Sequence, residues 1–162
     1  MIQEDTGTKD LLVKLEDKVA VITLNRPEAR NAMSGEMNTA LQKVLYEAEL
    51  DPQVGCIVLT GAGKGFCAGG DVKGMASSGD GTVGDNTIDG AIHRQRDNQR
   101  ATAGKLFKMP KPTIASLPGA AAGAGLSLAL ACDLRIMSSK AFMTTAFAKV
   151  GFSGDYGGTY FM

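Results

Sequence analysis

Short apolar runs alternate with longer amphipathic stretches along this chain, and the period of each run predicts its element. Residues 11–15 and 19–24 are β-prone, and Glu16-Asp17-Lys18 between them suits a hairpin turn. Residues 25–33 read as a loop. Ser34 then stands where a helix cap belongs, ahead of Met37, Leu41, Val44, Leu45 and Ala48 at helical spacing. That helix should end near Asp51-Pro52, because proline disfavours helix at the residue before it. Residues 54–60 are apolar enough to predict a buried strand, and Gly61-Ala62-Gly63-Lys64-Gly65 predicts a turn after it.

Residues 71–89 are rich in Gly, Ser, Thr and Asp and read as a mobile loop. A polar amphipathic helix is expected over 87–107, stopped by Pro110 and Pro112. A short buried strand follows at 113–117. Residues 119–133 begin as glycine and alanine and become an apolar helix, with strand-like residues over 133–137. Residues 141–150 are a small-residue segment, and 151–159 form a glycine-rich turn. Strands alternating with helices predict an α/β fold, with residues 1–10 as a flexible lead.

Composition narrows the classes of function. The 162 residues are 44% hydrophobic and 21% charged, with 17 Lys+Arg against 17 Asp+Glu. That size allows a single domain with a real core, and the balanced charge gives no electrostatic reason to expect nucleic acid or an anionic membrane. The apolar runs are too short to span a bilayer, and the polar first nine residues lack the centre of a secretory signal. Cys56, Cys67 and Cys132 form no CxxC pair and read as reduced thiols of a cytoplasmic protein, with Cys56 and Cys132 in the core.

His93 is the only histidine and sits in a polar helical segment, which excludes a multi-histidine metal site and disfavours a Ser-His-Asp triad. The loop at 61–65 lacks the Walker spacing, since position 58 is valine and Lys64 precedes glycine. The dinucleotide fingerprint fails at Phe66.

Two small-residue turns carry the candidate chemistry. Phe66-Cys67-Ala68-Gly69-Gly70-Asp71 follows one strand, and Gly119 through Asp133 follows another, opening as a glycine-alanine turn and continuing as a helix. Backbones this bare let a ligand come close, and a helix start leaves N–H groups without acceptors. Two such turns converging on one oxygen would stabilise developing negative charge.

These stretches, together with Asn25-Arg26-Pro27-Glu28-Ala29-Arg30-Asn31-Ala32-Met33 and the final Gly157-Gly158-Thr159, resemble the crotonase family, also called enoyl-CoA hydratase/isomerase. The resemblance runs from about Lys18 to the end. It implies a spiral of ββα units over 11–162, an acyl-CoA thioester as ligand, no metal or other cofactor, and homotrimers or hexamers. Family members are longer by a helical C-terminal region, so the chain is expected to lack that part.

By motif, the oxyanion donors are the N–H groups of Ala68 and Ala124. Glu28, Ala29, Arg30, Ala68, Gly69, Gly70, Asp71 and Val72 would line the coenzyme A, with Ala124, Ser127 and Phe147 nearer the acyl group. Family hydratases use two glutamates, and their places fall at Ser127 and Phe147, neither of which is an acid. Asp155 remains. Some family isomerases, including those of phenylacetate degradation, carry an acid there, and one acid suffices to move a proton between two carbons. Phe147 and Phe152 would make its surroundings apolar and raise its pKa. Asp155 also suits a plain turn or cap residue, Arg30 a solvated surface charge, and Asp71 and Asp133 structural roles. The reading is therefore an isomerase. A hydratase using another acid and a non-catalytic acyl-CoA-binding or assembly module are the alternatives.

Overall fold

The computed structural model describes residues 1–71, 87–151 and 153–162. Strands β1 (Leu11–Glu16) and β2 (Val19–Leu24) pair antiparallel through a two-residue turn. Asp17 and Lys18 there both have positive φ, 48° and 66°, the twist that fits a tight hairpin. Helix α1 (Gly35–Leu50) follows. The Ser34 hydroxyl caps it by accepting the Met37 N–H at 3.1 Å, and the helix ends before Pro52 as expected.

Strand β3 (Cys56–Gly61) lies parallel to β2, β4 (Thr113–Leu117) parallel to β3, and β6 (Leu134–Met137) parallel to β4. The five-stranded sheet therefore runs β1-β2-β3-β4-β6. Two short strands, β5 (Ala121–Ala122) and β7 (Met143–Thr144), form a second small sheet. Helix α4 (Ala124–Ala131) begins straight after β5, and the short α5 (Gly158–Phe161) ends the chain. A 3-10 turn over Ala146–Val150 lies between β7 and the Asp155 loop.

One face of the sheet makes the core. Ala20, Ile22 and Leu24 of β2, Ile57 and Leu59 of β3, and Ala115 and Leu117 of β4 are buried with Met37, Leu41, Val44 and Leu45 of α1. The apolar run at 54–60 suggested burial on both faces. Alternation instead leaves Val58 and Cys56 half-buried on the opposite face, so Cys56 is not a core residue, whereas Cys132 is buried as expected. Strand β6 is exposed at all four positions, Leu134 and Ile136 among them.

The helix expected over 87–107 is two helices, α2 (Ile88–Ala101) and α3 (Ala103–Phe107). The break falls at Thr102, whose hydroxyl donates to the Asn98 carbonyl at 2.7 Å, a back-bond that competes with helix continuation. His93 lies exposed on α2. Most of the loop expected at 71–89 lies outside the described residues, while Ile88 and Asp89 already belong to α2.

Asp133 closes the sheet locally. Its carboxylate accepts the backbone N–H and hydroxyl of Thr113, at 2.8 and 2.9 Å, and its own N–H donates back to that hydroxyl. This is the structural role expected of it.

Candidate active site

Topology, rather than any single contact, brings the two glycine turns together. Strands β2, β3 and β4 are parallel neighbours, so the chain leaves all three at the same edge of the sheet. The loops at 25–33, 61–71 and 118–124 are therefore gathered there. Pairing resumes beyond the sheet as a parallel bridge between Cys67 and Ala121, with the Ala122 N–H donating to the Cys67 carbonyl at 2.9 Å. Gly123 then takes φ 54°, ψ −123°, a conformation open to glycine, and turns the chain into α4. Gly69 lies against this turn, so close that a Cβ added at Gly69 would stand 3.1 Å from the Ala122 carbonyl oxygen and 3.4 Å from the Ala124 nitrogen.

Asn31 holds the loops in register. It is fully buried at φ 56°, a region asparagine tolerates. Its amide donates to the carbonyls of Ala62 and Gly65, both at 2.9 Å, and its oxygen accepts the Arg26 N–H at 2.9 Å. Arg26 adds a second tie. Its guanidinium reaches the Asp71 carboxylate and the Ala32 carbonyl, each at 2.8 Å, and lies 3.4 Å from Asp10. Asp71 is thus an ion-pair partner of the first loop, and its N–H joins the short Met33–Gly70 bridge. The motif reading passed over Asn31 and Arg26 as ligands of the fold. Asparagine's tolerance of left-handed backbone was the available signal.

Ala68 is exposed and Ala124 buried. The Ala124 N–H, at the first position of α4, precedes every intrahelical acceptor. The Ala68 N–H is already engaged, donating to the Arg30 carbonyl at 3.0 Å. Arg30 is an exposed residue in left-handed conformation, φ 53°, at the end of the short 3-10 turn Pro27–Ala29 that carries Glu28 and Ala29. Gly69 is buried and Gly70 exposed beside them. Val72 and Phe152 lie outside the described residues.

Asp155 reaches α4 from the far end of the chain. Its backbone carbonyl accepts the Ser127 hydroxyl at 2.8 Å and the Gly158 N–H at 3.0 Å. Its carboxyl is half-buried, Oδ1 has no hydrogen-bond partner among the described residues, and burial pushes the group above the usual carboxylate range. Phe147 is half-buried, its ring lying against Gly154. Ser127, expected near the acyl group, is fully buried with its hydroxyl turned to the Asp155 carbonyl. Cys67 is no nucleophile: burial pushes its thiol up to about 12. A cleft of about 210 Å³ lies behind the Asp155 turn, lined by Arg96, Gln99, Arg100, Gly104, Tyr156, Gly157 and Phe161, and reaches neither donor turn.

A largely parallel sheet whose strand ends gather two glycine turns and a helix start is the architecture of a crotonase-fold protein. Crystal structures bear this out: a probable enoyl-CoA hydratase/isomerase from Mycobacterium abscessus superposes with TM-score 0.81 at 34% identity, over 94% of this chain and 56% of that one. Residues 14–162 match the enoyl-CoA hydratase/isomerase family model, and the chain belongs to that family. A probable enoyl-CoA hydratase of Mycobacterium tuberculosis is 39% identical over 152 residues, and a 1,2-epoxyphenylacetyl-CoA isomerase of Escherichia coli is 38% identical over the same length. Each alignment takes in 94% of this chain, which spans 56% of the length of either relative.

Proposed function

We propose that this chain carries the catalytic centre of an acyl-CoA isomerase, one that moves a double bond through a thioester enolate. The thioester oxygen is received by the N–H groups of Ala68 and Ala124. Asp155, ionised, removes a proton from the α-carbon. The electron pair moves onto the thioester oxygen as an enolate, and the same carboxyl returns the proton two carbons along. Both donors are backbone groups held by the loop ties: the Ala124 N–H opens its helix with no intrahelical acceptor, and the Ala68 N–H exchanges the Arg30 carbonyl for the thioester oxygen as charge develops.

The observation that carries this reading is the position of the Asp155 carboxyl. The half-buried Asp155 carboxyl, with Oδ1 unpartnered, stands on a turn bonded to α4 one helical turn from Ala124. The positions matched to the hydratase glutamates are Ser127, fully buried, and Phe147. The coenzyme is held along Glu28, Ala29, Arg30, Gly69, Gly70 and Asp71, with the exposed Arg30 guanidinium meeting a phosphate. Proton transfer of this kind uses no metal or redox cofactor. The assembly expected is a homotrimer or hexamer in the cytoplasm. Among the described residues no helix is long and apolar enough to cross a membrane.

The absence of acids at 127 and 147 favours one rival, an acyl-CoA-binding module without turnover. Incubation with a 3-enoyl-CoA in deuterated water, beside a 2-enoyl-CoA, separates the readings by mass spectrometry and NMR. The isomerase moves the double bond, places deuterium in the acyl chain and forms no 3-hydroxyacyl product. Asp155→Asn abolishes that turnover, by roughly 10²–10⁴-fold, and keeps acyl-CoA binding. Hydration without migration would overturn the assignment, and binding without any turnover would establish the module.

A further inference from the structure

The hydroxyl of Ser127 is spent on one bond. It lies 2.8 Å from the Asp155 carbonyl and 3.4 Å from the Gly123 carbonyl in its own helix, and a hydroxyl has one proton to give. The residue is fully buried, so no water competes. The peptide it grips joins Asp155 to Tyr156. Fixing that plane fixes ψ of Asp155 and φ of Tyr156, and with them the direction in which the Asp155 side chain leaves the backbone.

The turn needs such a grip. Tyr156 is a buried, bulky residue at φ 51°, a left-handed conformation that is strained for such a residue and persists only where the surroundings over-determine it. The Gly158 N–H holds the same carbonyl from within the turn, and Ser127 holds it from outside. Gly158 is packed close enough that an added Cβ would stand 2.5 Å from the Ser127 Oγ. The bare α-carbon of Gly158 therefore leaves the Ser127 hydroxyl its place against the turn.

Ser127 and Ala124 stand three residues apart on α4 and so share one face of the helix. One rigid helical turn thus carries both a donor for the thioester oxygen and the brace for the acid. We propose that Ser127 is a positioning residue for Asp155, setting the distance from the carboxyl to the Ala68–Ala124 donors through its bond to the Asp155 carbonyl. This rests on the isomerase reading, and it assigns the serine at a hydratase glutamate position a task of its own.

The test compares Ser127→Ala, Asp155→Asn and the double variant in the 3-enoyl-CoA assay. Misplacement of an acid by about an ångström costs up to about 10²-fold. Ser127→Ala should lower kcat by roughly 10–100-fold with KM within about two-fold, and Ser127→Thr, which keeps the hydroxyl, should restore most of it. In the Asp155→Asn background Ser127→Ala should change nothing further. Equal losses in both backgrounds would show a merely structural role and overturn the proposal, as would an unchanged kcat in Ser127→Ala while Asp155→Asn is dead. Full turnover in Asp155→Asn would instead overturn the isomerase reading itself. If Ser127→Ala does not fold by circular dichroism, Ser127→Cys, of similar volume with a weak donor, reads the same quantities.

Discussion

The bare α-carbon of Gly125 packs against the backbone of Cys67. A methyl group there would collide with the Cys67 carbonyl and stand 2.7 Å from its Cβ. Because Cys67 is bridged to Ala121, neither partner can retreat without opening the joint between the two glycine turns. Gly125→Ala is expected to destabilise the fold by about 3 kcal/mol or more, although alanine is the better helix former. Urea titration of the two proteins checks this, and an unchanged midpoint would refute it.

Asn31 makes three hydrogen bonds from a buried side chain, all to backbone groups of the gathered loops. Asn31→Ala leaves those groups without their partner and keeps a left-handed backbone that alanine dislikes. A loss of about 3 kcal/mol is expected. Asn31→Gly relieves the backbone but not the lost bonds, so it should recover only part of that. Chemical denaturation of the pair separates the two contributions.

Much of this architecture is legible in the residues. The hairpin at 16–18, the Ser34 cap and the stop before Pro52 follow from local chemistry, and local chemistry decided them. The glycine turns were legible as a motif, and parallel strand order explains why they meet. The break at Thr102 was hidden because threonine is tolerated in helices until its hydroxyl turns back on the fourth residue before it. The half-buried face of β3 and the full exposure of β6 were hidden because an apolar run carries no mark of which face is covered. The use of Ser127 depends on a partner 28 residues away, a relation no local pattern encodes.

The Asp155 carboxyl lies above the usual range because burial penalises its charged form. On the isomerase reading the base must be ionised, so turnover should rise along a limb centred above pH ~4, the ordinary carboxylate value. For stability the sign is opposite to that of a salt-bridged acid. A raised folded pKa means the unfolded chain ionises first, so stability falls as pH rises from about 4 through the folded value. Asp155→Asn should therefore raise Tm at neutral pH and not below about pH 4. Thermal melts at both pH values decide it.

Cys67 and Cys132 are buried with thiols pushed up to about 12, whereas Cys56 is half-buried. A thiol reagent at pH 8 is expected to modify Cys56 in the native protein and the other two only after denaturation. Mass spectrometry of labelled peptides gives the count. Rapid native labelling of Cys67 would contradict the packing around the first glycine turn.

The bond from the Ala68 N–H to the Arg30 carbonyl changes what a visiting ester can gain. A ground-state thioester carbonyl arriving at that N–H replaces one neutral carbonyl with another, an exchange close to even. An enolate oxygen replaces the same carbonyl with a full negative charge and forms a bond roughly twice as strong. On the proposed chemistry, the peptide of Arg30 is a resident competitor that substrate barely displaces and the reacting species displaces decisively. That displacement costs substrate and enolate alike, so the charge on the oxygen separates the two, and the resident bond leaves the ground state little gain while the enolate keeps a net one.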